Sequence, residues 1–327
     1  MNIYITLDYE LFFGTNSGSV KHCIIKPTEA LLKIVDPHNI KLVFFVDVGY
    51  LAQLEKQKED YPELEEDYKT ITKQIRHLAN HGHGIDLHIH PHWEDSYYDG
   101  SKWVFDTTRY KLSDFNEDEV VDIITCYNDT LKRISGKAPK AFRAGGWSAQ
   151  PFKSIKNGLE KNNVFIESSV FPKGYYSSDN QSFDFRGVSQ YNTKYSFSED
   201  LTIEDAQGDF TEIPISSYKV SPFFFWKFAF KKLQKQKRNI SYGDGSAITL
   251  KNNEKIRLMT SYSHSVVSID GYKASYIENA FNKYIKNTKS NDNFVLIGHP
   301  KAFTEYSLSK VAEFILKYKN EHSFKVF

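Results

Sequence analysis

The chain is poor in cysteine, in charge of one sign and in long apolar runs, and each shortage removes a class of protein. Only two cysteines occur in 327 residues, Cys23 and Cys126. They lie far apart and outside any Cys-x-x-Cys pattern, so neither a disulfide framework nor a thiolate zinc site is indicated. The 42 Lys and Arg nearly balance the 41 Asp and Glu, for a formal net charge of +1. No global field therefore favours nucleic acid or another strongly charged partner. No apolar run reaches the ~18–20 residues of a membrane span. The opening Asn2-Ile3-Tyr4-Ile5-Thr6-Leu7-Asp8 has neither the basic n-region nor the apolar h-region of a secretory signal, so the expected compartment is the cytoplasm. No internal repeat or low-complexity linker is visible.

What is present is a succession of strand and helix patterns rich in aromatics, with 25 Phe and 21 Tyr. Residues 2–7 read as a short strand with Asp8-Tyr9-Glu10 where it ends. Residues 27–36 suit a helix, with Pro27 in its first turn. Lys41-Leu42-Val43-Phe44-Phe45-Val46 is a compact apolar run of the kind found in strands buried on both faces. Residues 51–80 carry spaced Leu, Ile and Tyr among charges and predict one helix, broken by Gly82 and Gly84. Further helices are predicted over 115–135, 150–162 and 307–319. Strands are predicted at 141–147, running into a glycine turn, at 164–166, and at 293–297. Alternation of this kind argues for a parallel α/β sheet or barrel. Asp8, Glu10, His88, Arg143 and His299 all fall where a predicted strand ends, which is where barrel enzymes carry their sites.

Five of the 11 histidines, His81, His83, His88, His90 and His92, fall within twelve residues. Histidine is the commonest metal ligand and the usual acid–base group near neutral pH. Spacing alone leaves the ligand pair open. An extended chain rises ~3.3 Å per residue, so His88 and His92 meet only if the chain turns at Pro91; His88/His90 and His90/His92 share a strand face. His81 and His83 read as loop residues.

Two regions depart from the alternation. Residues 174–215 are rich in Ser, Tyr, Asp and Gly and fit hairpins or long loops. Pro222-Phe223-Phe224-Phe225-Trp226-Lys227-Phe228-Ala229-Phe230-Lys231-Lys232, continued by Lys235, Lys237 and Arg238, fits a core-packed helix with a solvated basic end. The same stretch, 222–238, also fits an interfacial helix in peripheral contact with an anionic membrane.

Five motifs in order resemble those of the polysaccharide deacetylases of carbohydrate esterase family four, the NodB-homology group. Thr6-Leu7-Asp8-Tyr9-Glu10 stands where the family has an acidic pair. His88-Ile89-His90-Pro91-His92, after Gly82-His83-Gly84-Ile85, is similar to its His-Ser/Thr-x-x-His. Phe142-Arg143-Ala144-Gly145-Gly146 looks like its strand-borne Arg, Glu167-Ser168-Ser169-Val170 loosely echoes its fourth motif, and Val295-Leu296-Ile297-Gly298-His299-Pro300 resembles its final strand ending in His. Three departures stand out: Asp-x-Glu replaces the adjacent acids, Ile89 lacks the usual hydroxyl, and Arg143 lacks the Pro-Tyr that normally follows it.

The resemblance implies a distorted (β/α) barrel in which 1–327 form a single catalytic domain with an insertion around 174–270. It implies Asp8 as base, His299 as acid, Arg143 holding the base, and Glu10, His88 and His92 as metal ligands. His90, Trp93 and Trp147 are expected beside the substrate. Two imidazoles and a carboxylate with open positions make a competent catalytic site; zinc is the first expectation, with cobalt or nickel admitted by affinity order. The implied activity is removal of an N-acetyl group from a sugar, in the making of a surface polysaccharide. Two readings of other classes stand beside it: an iron oxygenase, which the helical segments oppose, and a catalytically silent sugar-binding protein. A metal-free hydrolase of another amide bond is a further alternative.

Overall fold

In a computed structural model, the structure describes residues 1–233, 236–248 and 252–327. Nine strands form one sheet: β1 (Asn2–Tyr9), β2 (Val43–Asp47), β3 (Gly84–Ile89), β4 (Ala141–Ala144), β5 (Ile166–Glu167), β6 (Tyr195–Phe197), β7 (Phe210–Glu212), β8 (Asn293–Gly298) and β9 (Ser323–Phe324). Their spatial order is β6-β7-β5-β4-β3-β2-β1-β8, with β9 also on β1. Every pairing is parallel except that of β6 with β7.

The two ends of this sheet approach each other through irregular backbone. Ile213 N donates to Glu167 O and Ile215 N to Val170 O, while Ser216 N donates to Val295 O at 3.0 Å. Farther along, Ile297 N donates to Val267 O and Ile269 N to Ile297 O. The expected distorted barrel is therefore observed. Its distortion has a local cause, because the seam runs through residues 213–216 and 267–269 in place of a regular ladder.

Helices α1 (Lys26–Val35), α2 (Val48–Gln57), α3 (Pro62–Asn80), α4 (Glu117–Ser135) and α5 (Lys153–Lys161) follow the first strands. Helices α6 (Pro222–Leu233), α7 (Asn252–Thr260), α8 (Ile277–Asn287) and α9 (Glu305–Tyr318) come later. The single helix predicted over 51–80 is two. Pro62 holds Tyr61 in an extended conformation, φ −131° and ψ 103°, because the proline ring disfavours the helical region for the residue before it. Helix α4 starts at the Asn116 cap and stops at Gly136, which adopts φ 74°, a left-handed stop that costs glycine little. Within 174–215 the structure has short pairs, 175–177 with 182–184 and β6 with β7. A separate pair, 217–220 with 263–266, brackets α6 and α7. Of the basic stretch, Lys235 lies outside the described residues.

Strand β2 is buried along its whole length, as its apolar run predicts. Each such side chain contributes about 1.5–3 kcal/mol on burial, and β2 also serves the site. The Phe45 ring lies 4.1 Å beneath the Arg143 guanidinium. The parallel register sets Asp47 beside His88 and His88 beside Arg143, so the chemistry converges where these strands end.

Candidate active site

Asp8 and Arg143 form the base of the site. Arg143 is fully buried and spends its donors on four acceptors. Its Nη1 donates to Asp8 Oδ1 at 2.6 Å and its Nε to Ser168 O at 2.8 Å. Its Nη2 reaches Thr6 Oγ1 at 3.0 Å and Ser168 Oγ at 3.1 Å. A buried guanidinium is stable only with such a set of partners. With Oδ1 held, Asp8 Oδ2 faces two imidazoles, 3.8 Å from His88 Nε2 and 3.6 Å from His299 Nε2.

Glu10 is divided in the same way. Lys301 Nζ donates to Oε1 at 3.0 Å and also to Leu11 O. That leaves Oε2 turned to His90 Nε2 at 2.7 Å and His88 Nε2 at 3.3 Å. Burial works against the Glu10 charge, but Lys301, His90 and His88 outweigh it and hold the carboxyl well below its usual range. On His88 the ring contact to Arg143 O, 2.9 Å from Nδ1, must be made by an N–H, because a carbonyl only accepts. Nε2 is thereby aimed at the carboxylates. Burial opposes charge on His88, yet Asp8 and Glu10 raise its pKa to about 9, so the site attracts positive charge at that nitrogen.

Glu10, His88 and His90 offer ligand atoms within 4.8 Å of one another. His90 Nε2 and Glu10 Oε2, though close, form no aligned hydrogen bond and are buried without another partner. Two buried lone-pair atoms turned to one point, beside a third imidazole nitrogen, suit a divalent cation bound by nitrogen and oxygen. These residues therefore fit the metal that the motifs implied. Of the expected ligands Glu10 and His88 are here, and the third nitrogen grouped with them is that of His90, where His92 was expected. The chain is still extended at His90, φ −104° and ψ 94°, and turns only at Pro91. His88 and His90, two apart, therefore share a face. His92 sits on the turn instead, its ring stacked on Tyr110 and Trp93 and edge-on to Phe13. Both its nitrogens are buried without partners, and burial holds its pKa well below the ordinary value.

His299 follows β8 directly. Asp270 Oδ1 accepts its backbone N–H and Oδ2 its Nδ1–H, each at 2.8 Å. Burial works against the charge on His299, and Asp270 first, then Asp8 and Glu10, raise its pKa nonetheless.

Trp93, expected beside the substrate, has no exposed surface. Its Nε1 donates to Asp47 Oδ2 at 2.7 Å, and it packs between Tyr50, Trp103 and Phe105; it is a core residue. Trp147 is half-buried against Phe171 and Phe183. It adjoins Gly146, whose carbonyl accepts from Gln181 Nε2 at 2.7 Å. Gln181, Tyr110, Tyr176 and Thr107 line a cavity of about 220 Å³, one ring away from His92. His83 is buried and structural, accepting the Leu42 N–H on Nδ1 at 3.0 Å. Asp47, Asp270 and Lys301 complete the site and were not anticipated. Asp270 carries the same signal as Asp8, an acid ending an apolar run, here Val266-Val267-Ser268-Ile269. Lys301 has no signal beyond its nearness to His299.

No family model and no curated protein sequence matches the chain. Solved structures do. A GH57 branching enzyme from the hyperthermophilic archaeon Thermococcus kodakaraensis is similar over 100% of this chain and 70% of its own, at 9% identity and a TM-score of 0.53. An allantoinase is similar over 99% of this chain and 86% of its own, at 11% identity and a TM-score of 0.50. A Mycobacterium smegmatis protein assigned as a polysaccharide deacetylase also matches over 99% of this chain and 86% of its own, at 17% identity and a TM-score of 0.49. At such identities the likeness is one of fold, and the fold is the α/β barrel that the motifs implied.

Proposed function

We propose that this chain is a metal-dependent hydrolase that removes an N-acetyl group from a sugar. The carrying observation is the convergence of Glu10, His88 and His90 within 4.8 Å of one another, beside an arginine-held Asp8 and an aspartate-held His299. The motif order supplies the substrate class. The reading extends to a cytoplasmic enzyme acting on a precursor of a surface polysaccharide, with residues 1–327 as one catalytic domain and 174–270 as an insertion in it.

Glu10, His88 and His90 would hold the cation, zinc first and cobalt or nickel as alternatives. When bound, such an ion polarises the amide carbonyl and brings a water within reach of ionisation near neutral pH. Asp8 takes the proton of the attacking water on Oδ2, the oxygen that Arg143 leaves free. His299 gives the proton on Nε2 to the departing sugar nitrogen as the C–N bond breaks, leaving acetate and an amine. Asp270 keeps Nδ1 protonated and the ring in place, and Lys301 keeps Glu10 ionised and oriented. Each acid–base group of this kind contributes about 10²–10⁴-fold. Acetate release from N-acetylated sugars by wild type and Asp8→Asn tests the reading. A drop of that order in the variant is expected; equally slow release by both contradicts it.

One observation favours a metal-free hydrolase as the second reading. Arg143 and Lys301 each pair with one of the two carboxylates, so the charges are offset without an ion. Full activity after exhaustive chelation would select that reading.

A further inference from the structure

Helix α6 has two unlike faces. Phe224 is buried and packs its ring on Tyr272 and Tyr276, at 5.9 and 4.7 Å between centroids. At about 100° per residue, Phe223, Trp226, Lys227 and Phe230 fall together on one face, turned away from the direction of Phe224. Phe223, Trp226 and Phe230 are 67%, 56% and 60% exposed. Trp226 also donates its indole N–H to Met259 O at 3.1 Å, tying α6 to α7, which adds the exposed Ile256. Singly exposed apolar residues need no explanation, but three aromatic rings aligned on one helical face do.

The sequence around this helix carries charge of one sign. Lys219 to Gly243 contains seven Lys and Arg and no Asp or Glu, in a chain whose net charge is only +1. Two-fold pairing with a second copy would set these cations against themselves. Aromatic rings flanked by lysines instead match the interfacial layer of a membrane with anionic headgroups. The segment that leaves α6 is tied to the site. Tyr242 N donates to Phe303 O and Gly243 N to Lys301 O, while Gly14 N donates to Ser246 O. Asp244 accepts from Ser19 N and Oγ at 2.8 and 2.7 Å. Residues 242–246, downstream of α6, thus pack on the loops that follow Glu10 and His299.

We propose that the α6 face is a docking surface for an anionic lipid membrane. This goes beyond the hydrolase reading and does not depend on it. The test is sedimentation of the full chain with phosphatidylglycerol or phosphatidylcholine vesicles. Wild type is expected to pellet with the anionic vesicles, less at high salt, and to stay in solution with the zwitterionic ones. Each cation near an anionic surface is worth about fivefold, so Lys227→Glu with Lys237→Glu should weaken binding at least roughly 25-fold. The surface variant Phe223→Ser, Trp226→Ser, Phe230→Ser should abolish it. Wild type that fails to pellet overturns the proposal, as does a triple variant that pellets like wild type. A wild-type dimer that the triple variant dissociates, without vesicle binding, assigns the face to a second copy instead.

Discussion

Gly145 and His90 fit against each other with no room for a methyl group. A Cβ at position 145 would fall 2.5 Å from His90 Nδ1 and 2.6 Å from its Cγ, distances that real Cβ atoms do not show. The glycine turn after β4 therefore sets the position of the imidazole that faces Glu10 Oε2. Gly145→Ala should displace that ring and weaken metal binding about 10–100-fold, the range seen when an outer group that orients a ligand is lost. Titration of zinc into the metal-stripped proteins, wild type beside variant, measures it; unchanged affinity would mean that His90 does not bind the ion.

Asp270 acts through His299 and not on the substrate. Its carboxylate raises the His299 pKa, so Asp270→Asn should lower that pKa. The protonated acid is then lost at lower pH, and the alkaline limb of kcat/KM moves down the pH scale. A uniform drop in rate with an unmoved limb would mean that Asp270 only supports the loop.

Trp93 should matter to stability and not to substrate binding. Trp93→Phe keeps an aromatic ring in the core, though a smaller one, and removes the donor to Asp47, whose Oδ1 already lacks a partner. Burial raises the Asp47 pKa to about 7 although His88 and the Trp93 hydrogen bond pull it down. Leaving such a group without its hydrogen bond costs about 1–3 kcal/mol, which denaturant unfolding resolves, while KM should not change.

His83 and Asp86 give opposite pH dependences. Burial lowers the His83 pKa from 6.5 to about 4, so the unfolded chain takes up the proton first. This contribution is present above pH 6.5 and is lost as pH falls toward 4. Burial raises Asp86 from 3.8 to about 6, although it accepts the N–H groups of Lys140 and Ala141. Ionised Asp86 therefore costs stability as pH rises through that window. Asp86→Asn keeps an acceptor and removes the buried charge, so it should raise Tm above about pH 7 and change it little near pH 4.

The parallel sheet was legible because Val43-Phe44-Phe45-Val46 and Val295-Leu296-Ile297 are short runs apolar on both faces, as strands covered on both sides are. The strand-end positions of Asp8, Arg143 and His299 followed from the strands read at 2–7, 141–147 and 293–297. The choice between His90 and His92 was not legible. It depends on the chain staying extended one residue past β3 before Pro91 turns it, a difference of a single backbone conformation. Lys301 was hidden because Glu10 reaches it only through the pairing of β1 with β8, and Asp270 because His299 meets it only across the seam that closes the barrel. Trp93 misled for a related reason, since a tryptophan beside histidines reads alike whether it faces solvent or Asp47.

The metal centre itself is tested most directly by elemental analysis after zinc loading and desalting, on wild type beside His88→Ala, His90→Ala and His92→Ala. Wild type should retain about one equivalent, lost in the His88 and His90 variants and kept in the His92 variant. No retained metal in wild type, or loss in the His92 variant with retention in the His90 variant, would contradict the assignment.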